Sequence, residues 1–329
     1  MNSLVSKLPK AILSVSVILL SVMCTALLLI QDNSRLSRMM SGPLDPGDPD
    51  LLHYVKSQCL NPPSSEPYNL KVDRLDPAER LYNAYRFRDH GWSDLDRIIK
   101  TLFDHKSNGF FVEAGALDGE YLSNTLYLER ERGWGGLLVE PDEEMFTLLT
   151  KKNRKVWSIH SCLATKSYPM KTTLVKLSKK VNEFDDLTIT GSRAHNFMEG
   201  APYGTVGASD IGYQTFERVQ CFPLQTILRA LGVTHVDLVS LDIEGMERDV
   251  LRAFWSGCRP GGEEVEDKTK TCVEVDVWIV ESMEDRILEL EFVEKGYTLY
   301  TVLKEFFPYN YIFVRNGTEV HKKTFSQSH

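Results

Sequence analysis

The chain has no C-x-x-C pair, and no two of its eight histidines fall within four residues of one another. A zinc knuckle, a thioredoxin-type redox pair and a helical metal-ligand pair are therefore not encoded locally, and no metal is expected. There is no G-x-x-x-x-G-K-[ST] phosphate loop and no G-x-S-x-G nucleophile turn, which removes the usual signals for nucleotide and serine-based hydrolysis. Positive charge is scarce too: 38 Lys and Arg stand against 46 Asp and Glu, a formal net charge of -8. Nucleic-acid backbones are held by clustered cations, so a nucleic-acid partner is not expected. The one basic run, Lys151, Lys152, Arg154 and Lys155, reads as a solvated helix end.

What the chain does have is one long apolar run. Residues 11–30, AILSVSVILLSVMCTALLLI, carry no charge, and about 20 such residues suffice to cross a bilayer as a helix. A cleaved signal peptide is the alternative, but its apolar core is shorter, about 7–15 residues. The expectation is an uncleaved anchor, with residues 1–10 as a cytoplasmic tail. The protein is then a single-pass type II membrane protein of the endoplasmic reticulum, Golgi, endosomal or plasma membrane. The sequon Asn316-Gly317-Thr318 fits a lumenal C-terminus. Cys258 and Cys272 bracket a Gly-Gly and acidic loop, either as a disulfide that closes it or as two separate thiols.

Residues 31–92 read as stalk and irregular lead-in, with SGPLDPGDPD at 41–50 too rich in Pro, Gly and Asp to hold a helix. Residues 93–316 read as one folded domain and 317–329 as a tail. Within the domain, apolar runs at 110–113, 136–140, 156–161, 236–242 and 273–281 alternate with stretches of helical spacing, followed by two closing strands at 297–302 and 309–315. That alternation predicts βαβ units and a doubly wound, mainly parallel α/β sheet.

The chemistry concentrates at two strand ends. The first run ends in Glu113-Ala114-Gly115-Ala116-Leu117-Asp118-Gly119, and the second ends in Glu140. Glycine there permits a tight turn and close approach to a ligand, and an acid on the neighbouring strand can accept both hydroxyls of a ribose. The G-x-G-x-x-G dinucleotide fingerprint is missing, and Asp118 would repel a pyrophosphate. S-adenosylmethionine, with a ribose and a sulfonium cation, suits such a site. Each residue also has a plainer reading: Gly115 and Gly119 as turn formers, Glu140 as a capping acid. Asp242 and Glu244 end the fourth run, where they hold a cation, act as a base, or cap the next helix. His160 ends the third run and reads as a structural histidine.

Three ordered blocks, GFFVEAGALDGEYLSNTLYLE, GLLVEPD and VDLVSLDIEGMERDVL, give the chain a resemblance to the FkbM family of methyltransferases over residues 109–315. The resemblance implies a Rossmann-like class I methyltransferase fold with a seven-stranded sheet. It also implies a cofactor site of Glu113, Gly115, Asp118, Gly119 and Glu140, with Asp242 and Glu244 on the substrate side as catalytic residues. Leu117 departs from the polar residue many relatives carry. The wording of the blocks behind one anchor also resembles that of secretory-pathway members that assist export of membrane-anchored growth-factor precursors. Two readings stay open: an escort for such cargo, which the anchor favours, and an S-adenosylmethionine-dependent O-methyltransferase.

Overall fold

The structure, a computed structural model, describes residues 17–25, 35–74, 93–179, 190, 193–201, 211–256, 272–283, 285–304 and 308–325. In chain order the elements are α1 (Pro49–Tyr54), β1 (Leu60–Asn61), α2 (Ser93–Phe103), β2 (Phe110–Ala114), α3 (Leu126–Arg132), β3 (Gly135–Glu140), α4 (Glu143–Thr150) and β4 (Trp157–His160). Then come β5 (Cys162–Leu163), β6 (Met170–Lys179), β7 (Phe197–Met198), β8 (Ile211–Phe222), α5 (Leu224–Leu231), β9 (His235–Leu241), α6 (Glu247–Trp255), β10 (Glu274–Ser282), α7 (Arg286–Glu294), β11 (Tyr297–Leu303), β12 (Tyr309–Arg315) and α8 (Glu319–Phe325).

The main sheet has the order β1-β4-β3-β2-β9-β10-β12-β11. Strands β4, β3, β2, β9 and β10 are parallel, and β12 runs antiparallel to both β10 and β11. The chain winds outward from β2 to β4, then restarts at β9 and winds the other way. The switch point therefore lies between β2 and β9, where open α/β sheets bind ligands beyond the strand carboxyl ends.

Both faces of the sheet are covered, so its strands are apolar almost throughout. Val112, Val139, Val239 and Trp278 pack on one face with Ile227, Leu251 and Phe292 from α5, α6 and α7. Phe111, Leu138, Leu238 and Ile279 pack on the other with Ile99 and Phe103 from α2 and Leu128 from α3. The period-two alternation of the strands sorts neighbouring residues between the two layers. Within the stretch read as stalk and lead-in, Leu51, Val55 and Leu60 are buried in the first layer, and β1 pairs antiparallel with β4.

A second sheet, β5-β8-β6-β7, went unread in the sequence. Its main body is the antiparallel pair β6 and β8, and β5 runs parallel to β8 with Cys162 opposite Cys221. Those two cysteines form a disulfide with a Cα–Cα distance of 4.3 Å. Cys272 is also disulfide-bonded, while Cys258 and most of the polar loop at 185–212 lie outside the described residues.

Two expectations are corrected. Of the apolar run at 11–30, residues 17–25 are described and helical. Among the described residues no helix is long and apolar enough to cross a membrane. That finding stands against the single-pass type II placement. The basic run after α4 is not a solvated helix end: Lys152 and Arg154 are buried. Lys152 sits between Asp118 and Glu120 at 3.0 and 2.6 Å, and Arg154 pairs with the buried Glu129 at 2.6 Å. Tertiary packing supplies the carboxylates that make this burial tolerable.

Candidate functional site

A cleft opens at the switch point. Glu113, Gly115, Glu140, Asp242 and Glu244 line it, with Asn124, Ser161, Arg193 and Ser240 beside them and Leu174, Met198 and Met246 as an apolar wall from the second sheet and the loop before α6. The fold thus brings together five of the seven residues singled out from sequence. Asp118 and Gly119 lie off the cleft.

Glu113, at the end of β2, is buried, and both its oxygens are used. Oε1 accepts from Asn124 N at 2.7 Å, and Oε2 accepts from Ser123 Oγ at 2.8 Å and Thr125 Oγ1 at 2.5 Å. Burial raises its pKa, against the pull of Arg154 and these hydrogen bonds. Its role is to fold the β2–α3 loop into place. Asp118 does similar work, accepting from the amides of Glu120 and Tyr121 while paired with Lys152. Gly119 has φ of +77° and donates its space to α4, since a Cβ there would come within 3.0 Å of Leu149. Gly115 is different. It has φ of +86°, and a Cβ would overlap the carbonyl oxygen of Asp242. Glycine is needed there because the turn after β2 passes directly over the end of β9.

Glu140 ends β3 with its carboxylate pinned on both oxygens: Leu117 N donates to Oε2 and Asp142 N to Oε1, each at 2.8 Å. A carboxylate has about four lone-pair sites, so capacity for two further donors remains. Burial pushes its pKa up to about 8 despite the two amides, so the cleft by itself favours the protonated acid near neutral pH, and a ligand bringing a cation or hydroxyl donors would favour the ionised form. Glu140 does not cap the next helix. Asp142 does, accepting from Glu144 N at 2.8 Å and Met145 N at 3.3 Å.

Asp242 and Glu244 follow β9, and neither caps α6, whose N-cap is Met246 without a side-chain hydrogen bond. Glu247 accepts from Ile243 N at 2.9 Å and Gly245 N at 3.1 Å. Asp242 and Glu244 instead meet Glu281 near the end of β10, which sequence reading missed. Their carboxylate oxygens lie within 4.8 Å of one another. Burial and the neighbouring carboxylates raise the pKa of both Asp242 and Glu281, and the two are hydrogen-bonded to each other. Their hydrogen bond works against the rise at Asp242 and adds to it at Glu281, so Glu281 is the more readily protonated of the two. Glu244 adopts φ of +56° and faces His195 at 3.4 Å. His160 stacks on Phe146 and contacts Pro141 O at 3.0 Å, a structural role.

The second metal-like cluster, His235, Asp237 and Asp276, lies at the opposite end of β9 and β10, where Lys106 and Arg315 already occupy its carboxylates.

The side chain of Asn124 donates from Nδ2 to Ser240 Oγ at 3.0 Å, while its Oδ1 is buried without a hydrogen-bond partner. Buried acceptors are nearly always paired. An unpaired acceptor on a cleft residue, a tight glycine turn and a pinned acid that a nearby cation or hydroxyl donors would favour in its ionised form fit a ligand that offers an ammonium and two hydroxyls. S-adenosylmethionine is such a ligand.

Comparison with known proteins bears on the same residues. The Methyltransferase FkbM domain family matches residues 113–298, more than half of the chain. A search of curated proteins finds no match. Among solved structures, the crystal structure of a candidate RNA methyltransferase from Pyrococcus horikoshii is similar, at 14% identity and a TM-score of 0.32, covering 68% of this chain and 82% of that one. Nothing in these matches carries the narrower likeness to secretory-pathway members such as the insect protein Star.

Proposed function

The chain belongs to the FkbM methyltransferase-domain family, and from that premise we propose that it is an S-adenosylmethionine-dependent methyltransferase acting on a hydroxyl of a small acceptor. The observation that carries the reading is Glu140, held by two backbone amides at the end of β3, one strand from the Gly115 turn. The escort reading rested on the anchor and on the wording of the blocks, and the family match supports the methyltransferase reading better.

In this reading Glu140 accepts from the ribose hydroxyls, and Asn124 Oδ1 accepts from the ammonium of the amino-acid end. Gly115 lets the chain after β2 turn tightly against the end of β9, beside the cofactor. The cofactor supplies an electrophilic methyl group on a sulfonium. The residues of this chain supply position and a proton sink. Asp242, ionised while Glu281 holds a proton, takes the acceptor's hydroxyl proton. Leu174, Met198 and Met246 exclude water from the acceptor side. The acidic lining favours an uncharged or cationic acceptor, because an anion would face Asp242 and Glu244 together.

Calorimetry of the full chain with S-adenosylhomocysteine tests this. Binding in the micromolar range is expected, weakened about 10-fold or more by Glu140→Ala, in line with the loss of charge-assisted hydrogen bonds. Absence of binding at millimolar ligand in the folded wild-type protein would overturn the reading.

A further inference from the structure

We propose that Arg193 binds the nucleoside half of the cofactor, donating from its side-chain N–H groups to uncharged acceptor atoms of the adenosine. The inference rests on the methyltransferase reading above.

Arg193 stands on the segment at 193–199 that leads into β7 and reaches over the cleft from the second sheet. Its neighbours tie that segment down: Asn196 Nδ2 donates to Asp142 Oδ2 at 2.8 Å, Leu177 N donates to Asn196 Oδ1 at 2.8 Å, and Met198 pairs with Leu174 of β6. Arg193 lines the cleft, and its side chain is 11% exposed. Only one of its nitrogens is engaged: Nη2 donates to Glu144 Oε2 at 2.8 Å. Nε lies 3.7 Å from Asp142 Oδ2, too far for a hydrogen bond. Both Nε and Nη1 are buried with no hydrogen-bond partner. Guanidinium groups in protein interiors ordinarily have their fork of donors filled.

What Arg193 lacks is acceptor atoms, not negative charge. Asp142 and Glu144 already balance it, and Lys176 adds a second cation 3.2 Å from Asp142. An anionic group brought to Nη1 would come up against Glu140, Asp142 and Glu144. Ring nitrogens of a base and ribose oxygens fill the donors without that repulsion. Position points the same way. Arg193 sits against the residues that follow β3, two positions beyond Glu140, which takes the ribose. The amino-acid half belongs by Gly115 and Asn124, on the far side of that carboxylate. A guanidinium already held in place by Glu144 loses little freedom on binding, which favours affinity.

The test compares two probes on the full chain, S-adenosylhomocysteine and 5′-methylthioadenosine, which lacks the amino-acid end. Arg193→Met is expected to weaken both by about the same factor, 10-fold or more. Equal affinities of wild type and Arg193→Met for both probes would overturn the inference while leaving the methyltransferase reading standing. So would a loss confined to S-adenosylhomocysteine, which would place Arg193 on the carboxylate. No binding of either probe to the wild type sinks the methyltransferase reading and this inference with it. Should Arg193→Met fail to fold, a crystal structure of the wild type with S-adenosylhomocysteine decides. Nε or Nη1 within 3.5 Å of an adenosine nitrogen or oxygen supports the inference, and a longer separation overturns it.

Discussion

The backbone at Gly115 passes so close to Asp242 that a Cβ on the glycine would overlap the aspartate's carbonyl oxygen. The turn after β2 and the end of β9 are thereby locked together at the switch point of the sheet. Gly115→Ala must move one of two backbones as well as accept φ of +86°. It is expected to cost about 2–4 kcal/mol in urea denaturation, as an overpacked and strained position does. Gly232, with φ of +76° and open space around it, provides the comparison. Gly232→Ala should cost only about 1 kcal/mol, the left-handed penalty alone.

Stability should respond to pH through Glu247. Burial pushes its pKa up to about 8 from a reference of 4.5. The folded state then binds the proton more tightly than the unfolded chain. The stabilisation is complete below about pH 4.5 and is lost as pH rises through about 8. Glu247→Gln keeps an acceptor for Ile243 N and Gly245 N but cannot ionise. Relative to wild type, it is expected to gain about 1–3 kcal/mol between pH 4.5 and pH 8.5, on the scale of 1.36 kcal/mol per pKa unit. Thermal unfolding across that range measures it, and parallel curves for the two proteins would refute the assignment.

The Cys162–Cys221 disulfide closes a sequence separation of 59 residues and joins β5 to β8 at the cleft wall. Replacing both cysteines with alanine is expected to lower stability by about 2–4 kcal/mol. Because both residues line the cleft, the same variant should also weaken S-adenosylhomocysteine binding, which calorimetry would read. A stability loss with unchanged affinity would mean that the bond tethers the second sheet without shaping the site.

The main sheet was largely legible in the sequence because each strand is a short apolar run between turn residues. Phe110–Ala114, Gly135–Glu140, Trp157–His160, His235–Leu241 and Glu274–Ser282 fall within two residues of their expected ends. The second sheet was not legible. Strands β6 and β8 mix Lys, Thr, Gln and Glu with their apolar residues, and they pair over long separations that no local pattern announces. The disulfide was equally hidden, since Cys162 and Cys221 meet only when β5 lies beside β8.

Burial misled in both directions. Lys151 to Lys155 carry surface-like residue types, yet Lys152 and Arg154 are interior because Asp118, Glu120 and Glu129 come to meet them. Residues 11–30 carry membrane-like composition, yet no described helix reaches the length of a span.

By itself the sequence determined the alternation of strand and helix, and with it a wound sheet whose first two strands end in Glu113 and Glu140. Spacing along the chain is enough for that, because hydrogen bonding and apolar periodicity act locally. Only the tertiary structure decided what each acid does. Glu113 is spent on its own loop and Glu140 keeps lone pairs to spare. Glu247 holds the amides of Ile243 and Gly245 in the loop before α6, and neither Asp242 nor Glu244 caps that helix. Arg193 joins the cleft from the segment before β7, and Glu281 reaches Asp242 and Glu244 from β10. Those roles follow from which donors and charges stand within about 3–4 Å, and such neighbours are set by packing, not by order in the chain.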